Sequence, residues 1–318
     1  MDLADTWAGG GYGLAVSGKT AFLSDPMALF ADVAHRVRDR ILHGGCSARR
    51  VVEARAEGYR QWDPQVLAAD RIAEELILER LRAEGSRVTV ISEEAGVVVL
   101  PSPGAPPDGS DGYYLVMDPL DGSILYERDI PAFWAVAMGL WKGSRHVATL
   151  VMDLASGKAW HAESGLVSER DSSGRHRRLG GAPDGLEYRT ASATRLSDAY
   201  VATYLMKPHY LRPVVQRFHN VFLASRFVVP IGGPLAWAYV ASGRIDAYVP
   251  LNQPLTEVYS AMGVAREAGC IITDLEGNEP RLVPDIHQRY SLVCARDPNL
   301  HAEILERIHQ GGEDAEAM

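Results

Sequence analysis

Apolar residues recur at Leu29, Val33, Val37 and Ile41, a spacing that gathers them on one face of a helix. Asp25-Pro26 supplies a start and Gly44-Gly45 a stop, so the pattern predicts a helix from there to about His43. Ile72, Leu76, Ile77 and Leu81 repeat the spacing in a second helix, which starts between Asp63-Pro64 and Asp70 and ends at Gly85. The period then shortens. Val88–Ile91 and Tyr113–Met117 are compact β-favouring runs, and residues 97–112 between them, rich in Pro, Gly and Asp, read as a surface loop. Phe133–Trp141, Val147–Met152, Ala159–His161 and a hairpin from Gly165 to Leu179 follow, separated by Gly-Ser and Gly-Lys turns, as in an antiparallel meander. Gly180–Gly185 is the strongest break. Beyond it strands (Ala199–Tyr204, Ile245–Val249 and two more) alternate with helices (Pro208–His219, one after Gly232-Gly233-Pro234, Thr256–Ala268 and Pro298–Ile308). The sum is an α/β protein in helix–sheet–helix layers. It divides into an extension (1–23), a first domain (24–185) and a second domain (186–318).

Composition narrows the class of function. The 318 residues carry a net charge of −9, which argues against a nucleic-acid surface and suits a pocket that concentrates carboxylates around cations. The three cysteines, Cys46, Cys270 and Cys294, show neither metal-ligand spacing nor even pairing, which fits a reducing cytoplasm. No apolar run approaches the roughly 20 residues of a membrane span, and Met1-Asp2-Leu3-Ala4-Asp5 is without the basic residues expected at the start of a secretory signal.

The chemistry concentrates at Asp118-Pro119-Leu120-Asp121-Gly122-Ser123, directly after the Tyr113–Met117 run. A buried strand stopping on Asp-Pro leaves a carboxylate at the sheet edge, and Asp121 falls where it would cap a short following helix. Two carboxylates this close repel unless a cation lies between them, and a hard, oxygen-seeking ion such as Mg²⁺ suits them. A helix opening at Gly122-Ser123 would aim backbone N–H groups at the same spot, as a phosphate requires. Asp-Pro and Asp-Gly are also ordinary turn formers, and the hexapeptide alone leaves that reading open. Asp70 near a helix start is equally a capping acid, Glu93 and Glu94 after a strand are equally an exposed loop pair, and Glu257 in a first helical turn fits a dipole role.

These signals occur in an order that resembles the inositol monophosphatase superfamily: Ala69-Asp70, Ser92-Glu93-Glu94, Asp118 to Ser123, Gly243-Arg244-Ile245-Asp246-Ala247-Tyr248, then Glu257 and Arg266-Glu267-Ala268-Gly269. The resemblance spans roughly residues 27–310. It implies a layered αβαβα sandwich and a phosphatase that uses two or three Mg²⁺ ions, is inhibited by lithium, and works as a homodimer on a small phosphate ester. It implies metal ligation by Glu93, Asp118, the Leu120 carbonyl, Asp121 and Glu257. Gly122 and Ser123 would receive the phosphate, while Asp70, Glu93 and the Ser123 hydroxyl would orient the attacking water. Three departures stand out. Ser123 replaces the family's Thr, keeping the hydroxyl. Thr256-Glu257 replaces Trp-Asp, lengthening one ligand by a methylene. Pro250 stands where inositol-specific members carry a Glu that grips hydroxyls, which disfavours inositol phosphate and leaves sugar or nucleotide phosphates.

Candidate substrate contacts are Tyr126 for stacking, with Trp134 able to stack but fitting core packing better, and Gly232 and Gly233 for close backbone approach. Lys207 and Arg226, with His209, Arg212 and Arg217 between them, form a basic cluster suited to a second phosphate, or a solvated helix face. A family member that binds its phosphorylated ligand as a regulator, without turnover, is the alternative reading.

Overall fold

The computed structural model describes residues 25–54, 65–100, 112–179 and 192–316, the last six as backbone alone. The expected extension, the 180–185 boundary and residues 101–111 lie outside the described residues.

The chain opens with α1 (Pro26–His43), α2 (Gly45–Ala48), β1 (Val51–Ala54), β2 (Gln65–Leu67) and α3 (Ala68–Ala83). Next come β3 (Val88–Ser92), β4 (Gly96–Leu100), β5 (Tyr113–Asp121) and α4 (Ser123–Glu127). The meander is β6 (Ala135–Lys142), β7 (Arg145–Asp153), β8 (Ala159–Glu163), β9 (Leu166–Arg170) and β10 (His176–Leu179). The second half holds β11 (Tyr200–Ala202), α5 (Pro208–Ala224), β12 (Phe227–Val229), α6 (Gly233–Ala241), β13 (Ala247–Tyr248) and β14 (Gln253–Pro254). It closes with α7 (Leu255–Tyr259), α8 (Met262–Glu267), β15 (Ile271–Asp274), β16 (Arg289–Tyr290), β17 (Leu292–Ala295) and α9 (Pro298–Glu316).

Local chemistry accounts for the helix starts. The Asp25 carboxylate accepts the Ala28 N–H at 2.9 Å, with Pro26 in the first turn, and Leu29, Val33, Val37 and Ile41 are all buried. In α3 the buried face is Ala69, Ala73, Ile77 and Leu81, joined by two acids, Asp70 and Glu74, while Ile72 and Leu76 flank it.

Several of the expected boundaries differ: α5 runs on past His219 to Ala224, and two others have a clear cause. Residues 97–100 belong to β4, which pairs antiparallel with β3 in the register Val88↔Leu100; the run Val97-Val98-Val99 is β-branched and fits an edge strand. The helix expected over Thr256–Ala268 is broken into α7 and α8. The Trp141 indole N–H takes the Tyr259 carbonyl at 2.8 Å, and a Cβ on Gly139 would stand 2.1 Å from that oxygen. The sheet thus captures a carbonyl that a continuous helix would need.

The first sheet has the order β10-β9-β8-β7-β6-β5-β3-β4, antiparallel throughout except for the parallel pair β3–β5. The second has the order β12-β11-β13-β17-β15, with β12, β11 and β13 parallel. One apolar cluster lies between α1, α3 and the first sheet. Another joins the first sheet's opposite face to α6, α7, α8 and the second sheet. A third packs α5 and α9 on the second sheet's outer face. The layers therefore run αβαβα. Helix α6, enclosed between two sheets, buries every residue except a half-buried Tyr239, as a helix in a central layer must.

Candidate active site

Parallel pairing of β3 with β5, in the register Ser92↔Met117, sends both strands out at the same sheet edge. Glu93 and Glu94 follow one, Asp118 to Asp121 end the other. Strand β5 does not stop at Asp118 as expected. It pairs with β6 at Asp118↔Ala137 and again at Asp121↔Ala135, so two residues stand opposite one between those pairs. That bulge accommodates Pro119, which has no N–H for the ladder, and it bends the strand where the two acids sit. The cap of α4 also falls one residue later than expected, on Gly122 with φ 80° and not on Asp121. A Cβ there would stand 2.2 Å from the Phe133 carbonyl oxygen, so conformation and space both require glycine.

Asp118 is buried, and neither of its oxygens has a hydrogen-bond partner among the described residues. Burial first, then the charges of Glu93, Asp121, Glu257 and Glu94, push its carboxyl well above the usual range. Asp121 is pushed up in the same way, by burial and then by Glu257 and Glu93, against a downward pull from Lys207 and a backbone hydrogen bond from Gly122. Five carboxylates from three stretches of chain therefore lie in electrostatic contact, with Lys207 as the cation acting on Asp121. Among the described residues no three His, Cys, Asp or Glu side chains are closed into a finished ligand set. The donor chemistry is nonetheless that of a hard divalent cation: oxygens only, with a buried carboxylate whose two oxygens lack protein donors.

The second half of the chain meets this edge at Asp121. Gly233 has φ 66°, and a Cβ on it would lie 2.6 Å from Asp121 Oδ2. Its N–H donates to the buried Tyr248 hydroxyl at 3.2 Å. Glu257 reaches the cluster from the first turn of α7, and Lys207 stands at the start of α5.

Asp70 does cap: its Oδ2 accepts the Leu67 N–H at 2.7 Å. Four residues on, the buried Glu74 accepts from Ser92 Oγ at 2.6 Å and from the Ala95 N–H at 2.7 Å, bracketing Glu93 and Glu94. Sequence reasoning missed Glu74; the signal was its position one turn beyond Asp70, on the same helix face.

Two of the other expected contacts, Tyr126 and Arg226, lie elsewhere. Tyr126 is 1% exposed, its hydroxyl donates to the Ile41 carbonyl at 2.9 Å, and its ring meets Trp134 edge-on at 5.1 Å. It is a core residue with no free face to stack on a substrate, and Trp134 is buried beside it. The basic cluster is divided. Lys207 precedes α5 near the carboxyl edge of β11, whereas Arg226 follows α5, immediately before the amino end of the parallel β12, over the Tyr200 ring. The 17 residues of α5 separate the two by about 25 Å at 1.5 Å per residue. Gly232 packs against Tyr204, where a Cβ would meet that side chain at 2.6 Å. Pro250 is buried and its carbonyl accepts the Leu292 N–H at 3.0 Å.

Comparison with known proteins gives this arrangement a context. A sequence model described as the inositol monophosphatase family matches residues 28–313. A fructose-1,6-bisphosphatase/inositol-1-monophosphatase of Methanothermobacter thermautotrophicus is 27% identical over 255 residues, covering 75% of this chain and 81% of that protein. An inositol-1-monophosphatase of Mesorhizobium japonicum is 27% identical over 222 residues, covering 68% of this chain and 74% of that one. The crystal structure of extragenic suppressor protein suhB from Bartonella henselae shares the fold, with a TM-score of 0.68 at 20% identity over 90% of this chain and 98% of that one.

Proposed function

The chain belongs to the inositol monophosphatase family, and from that premise we propose that it is a Mg²⁺-dependent phosphomonoesterase acting on a small phosphorylated metabolite. The observation that carries the cation dependence is Asp118: a buried carboxylate, without hydrogen-bond donors among the described residues, pressed by four other acids. Glu93, Asp118, the Leu120 carbonyl, Asp121 and Glu257 would hold the cation. When bound, such an ion supplies positive charge for the phosphate and acidifies a water molecule.

The chain's own groups do the rest in this reading. The N–H groups of Gly122 and Ser123 at the start of α4 would take the phosphate oxygens, the Gly122 N–H giving up its bond to Asp121 as that carboxylate turns to a cation. The Ser123 hydroxyl and Asp70 orient water opposite the leaving oxygen, with Glu93 accepting its proton. Lys207, already in electrostatic contact with Asp121, meets a further anionic group of the substrate. Pro250 offers no hydrogen bond to a polyol from its side chain, which favours sugar or nucleotide phosphates over inositol phosphate.

The reading is tested by phosphate release from a panel of sugar, nucleotide and inositol phosphates with Mg²⁺. Turnover that chelation abolishes and Mg²⁺ restores is expected. If no compound is turned over while one or more raise the melting temperature, the protein is a binder and the phosphatase reading fails.

A further inference from the structure

Between Ser92 and Gly96, which pair with each other, β3 and β4 are joined by three residues: Glu93, Glu94 and Ala95. Two adjacent acids in so short a turn repel each other, and the neighbouring Asp118 adds to that repulsion. Such a turn needs an external restraint to keep Glu93 facing the β5 acids. One is present. Glu74, 3% exposed on α3, accepts from Ser92 Oγ at 2.6 Å and from the Ala95 N–H at 2.7 Å, both through the same Oε1. The two donors stand on either side of the Glu93-Glu94 pair. Arg71, three residues earlier and paired with Glu53, lies 3.9 Å from Glu74 Oε2.

We infer that Glu74 is a positioning residue for the cation site: its carboxylate closes the Ser92–Ala95 turn and thereby presents Glu93 to Asp118. The inference rests on the phosphatase reading above, because it gives Glu93 its task. A carboxylate is not the only group able to do this. A glutamine in the same place keeps an oxygen that accepts both hydrogen bonds, whereas alanine removes both and leaves a buried hydroxyl and a backbone N–H without a partner.

The test is calorimetric titration of the full chain with Mg²⁺ alone, alongside melting in chelator. Glu74→Ala is expected to weaken Mg²⁺ binding at least tenfold, and Glu74→Gln to stay within about threefold of the parent. Ser92→Ala, which removes one of the two bonds and keeps the fold's apolar contacts, should weaken binding to an intermediate degree, and it carries the test should Glu74→Ala fail to fold. Alanine variants that bind Mg²⁺ like the parent, even with a lowered melting temperature, would make Glu74 a purely structural residue and overturn the inference alone. A parent protein that binds no Mg²⁺ overturns the phosphatase reading and this inference together.

Discussion

Asp118 holds its place at a cost to the fold. A buried acid whose oxygens lack hydrogen-bond donors among the described residues and which faces four other acids opposes folding, and functional sites are where such opposition is tolerated. Asp118→Asn should therefore raise the stability of the chelated protein, since a buried acid without donors, pressed by four other acids, becomes a neutral amide able to donate to them. The same change should abolish turnover and the rise in melting temperature on adding Mg²⁺. Melts with chelator and with Mg²⁺, run beside an activity assay, check all three. At this scale the sequence is readable where residues are unusual together, as in the Asp118–Ser123 hexapeptide. It misleads where a residue type fits two environments: Tyr126 has the makings of a stacking platform, yet its hydroxyl is spent on the Ile41 carbonyl. Glu74 is harder still, because an acid in a helix ordinarily marks the solvent face.

Helices α1 and α3 are legible because the period of their apolar residues is set by the face they bury. Elements shaped by a distant partner are not. The break between α7 and α8 depends on the Trp141 indole, more than a hundred residues away, and β4 declares itself only through its pairing with β3. The burial of His161 on β8, close enough to α1 to feel the charge of His35, has a consequence for acid stability. Burial first, and then the charges of His176, Arg170 and His35, push the His161 imidazole down to about 3. The unfolded chain protonates this group near 6.5 while the folded one keeps it neutral, so its contribution is complete above that pH and is lost as pH falls from 6.5 toward 3. The loss amounts to at most about 1.4 kcal/mol per pH unit. His161→Gln should flatten this limb, which urea midpoints measured between pH 7 and pH 4 will reveal.

At the scale of the molecule, the two sheets share one core. Ile91, Val116, Trp141 and Trp160 from the first half pack in the same cluster as Ala202, Trp237, Tyr248 and Cys294 from the second. The candidate site is divided in the same way, with Glu257 and Lys207 brought to acids that belong to β5. Urea unfolding should therefore be a single transition, with tryptophan fluorescence and far-ultraviolet dichroism superimposed. Residues 192–318 expressed alone should lack the cooperative melt of the whole; an independent, native-like transition in that fragment would show that the halves are separable. The layered αβαβα architecture follows from this sharing, since α6 can be apolar on every side only with a sheet above and below it. Composition and period carry the order of elements; the stacking of the layers is decided by which faces remain to be covered.

The bulge in β5 limits how the site can change over evolutionary time. Side chains alternate between faces along a strand, so each inserted or deleted residue reverses the direction of everything beyond it. Two residues opposite one between Asp118 and Asp121 set the phase between the two acids and fix where the Gly122 turn begins. Substitutions within the hexapeptide leave that phase untouched. A change of length would shift it at once for Asp121, Gly122 and Ser123, so the motif is expected to drift in letters and to remain constant in count.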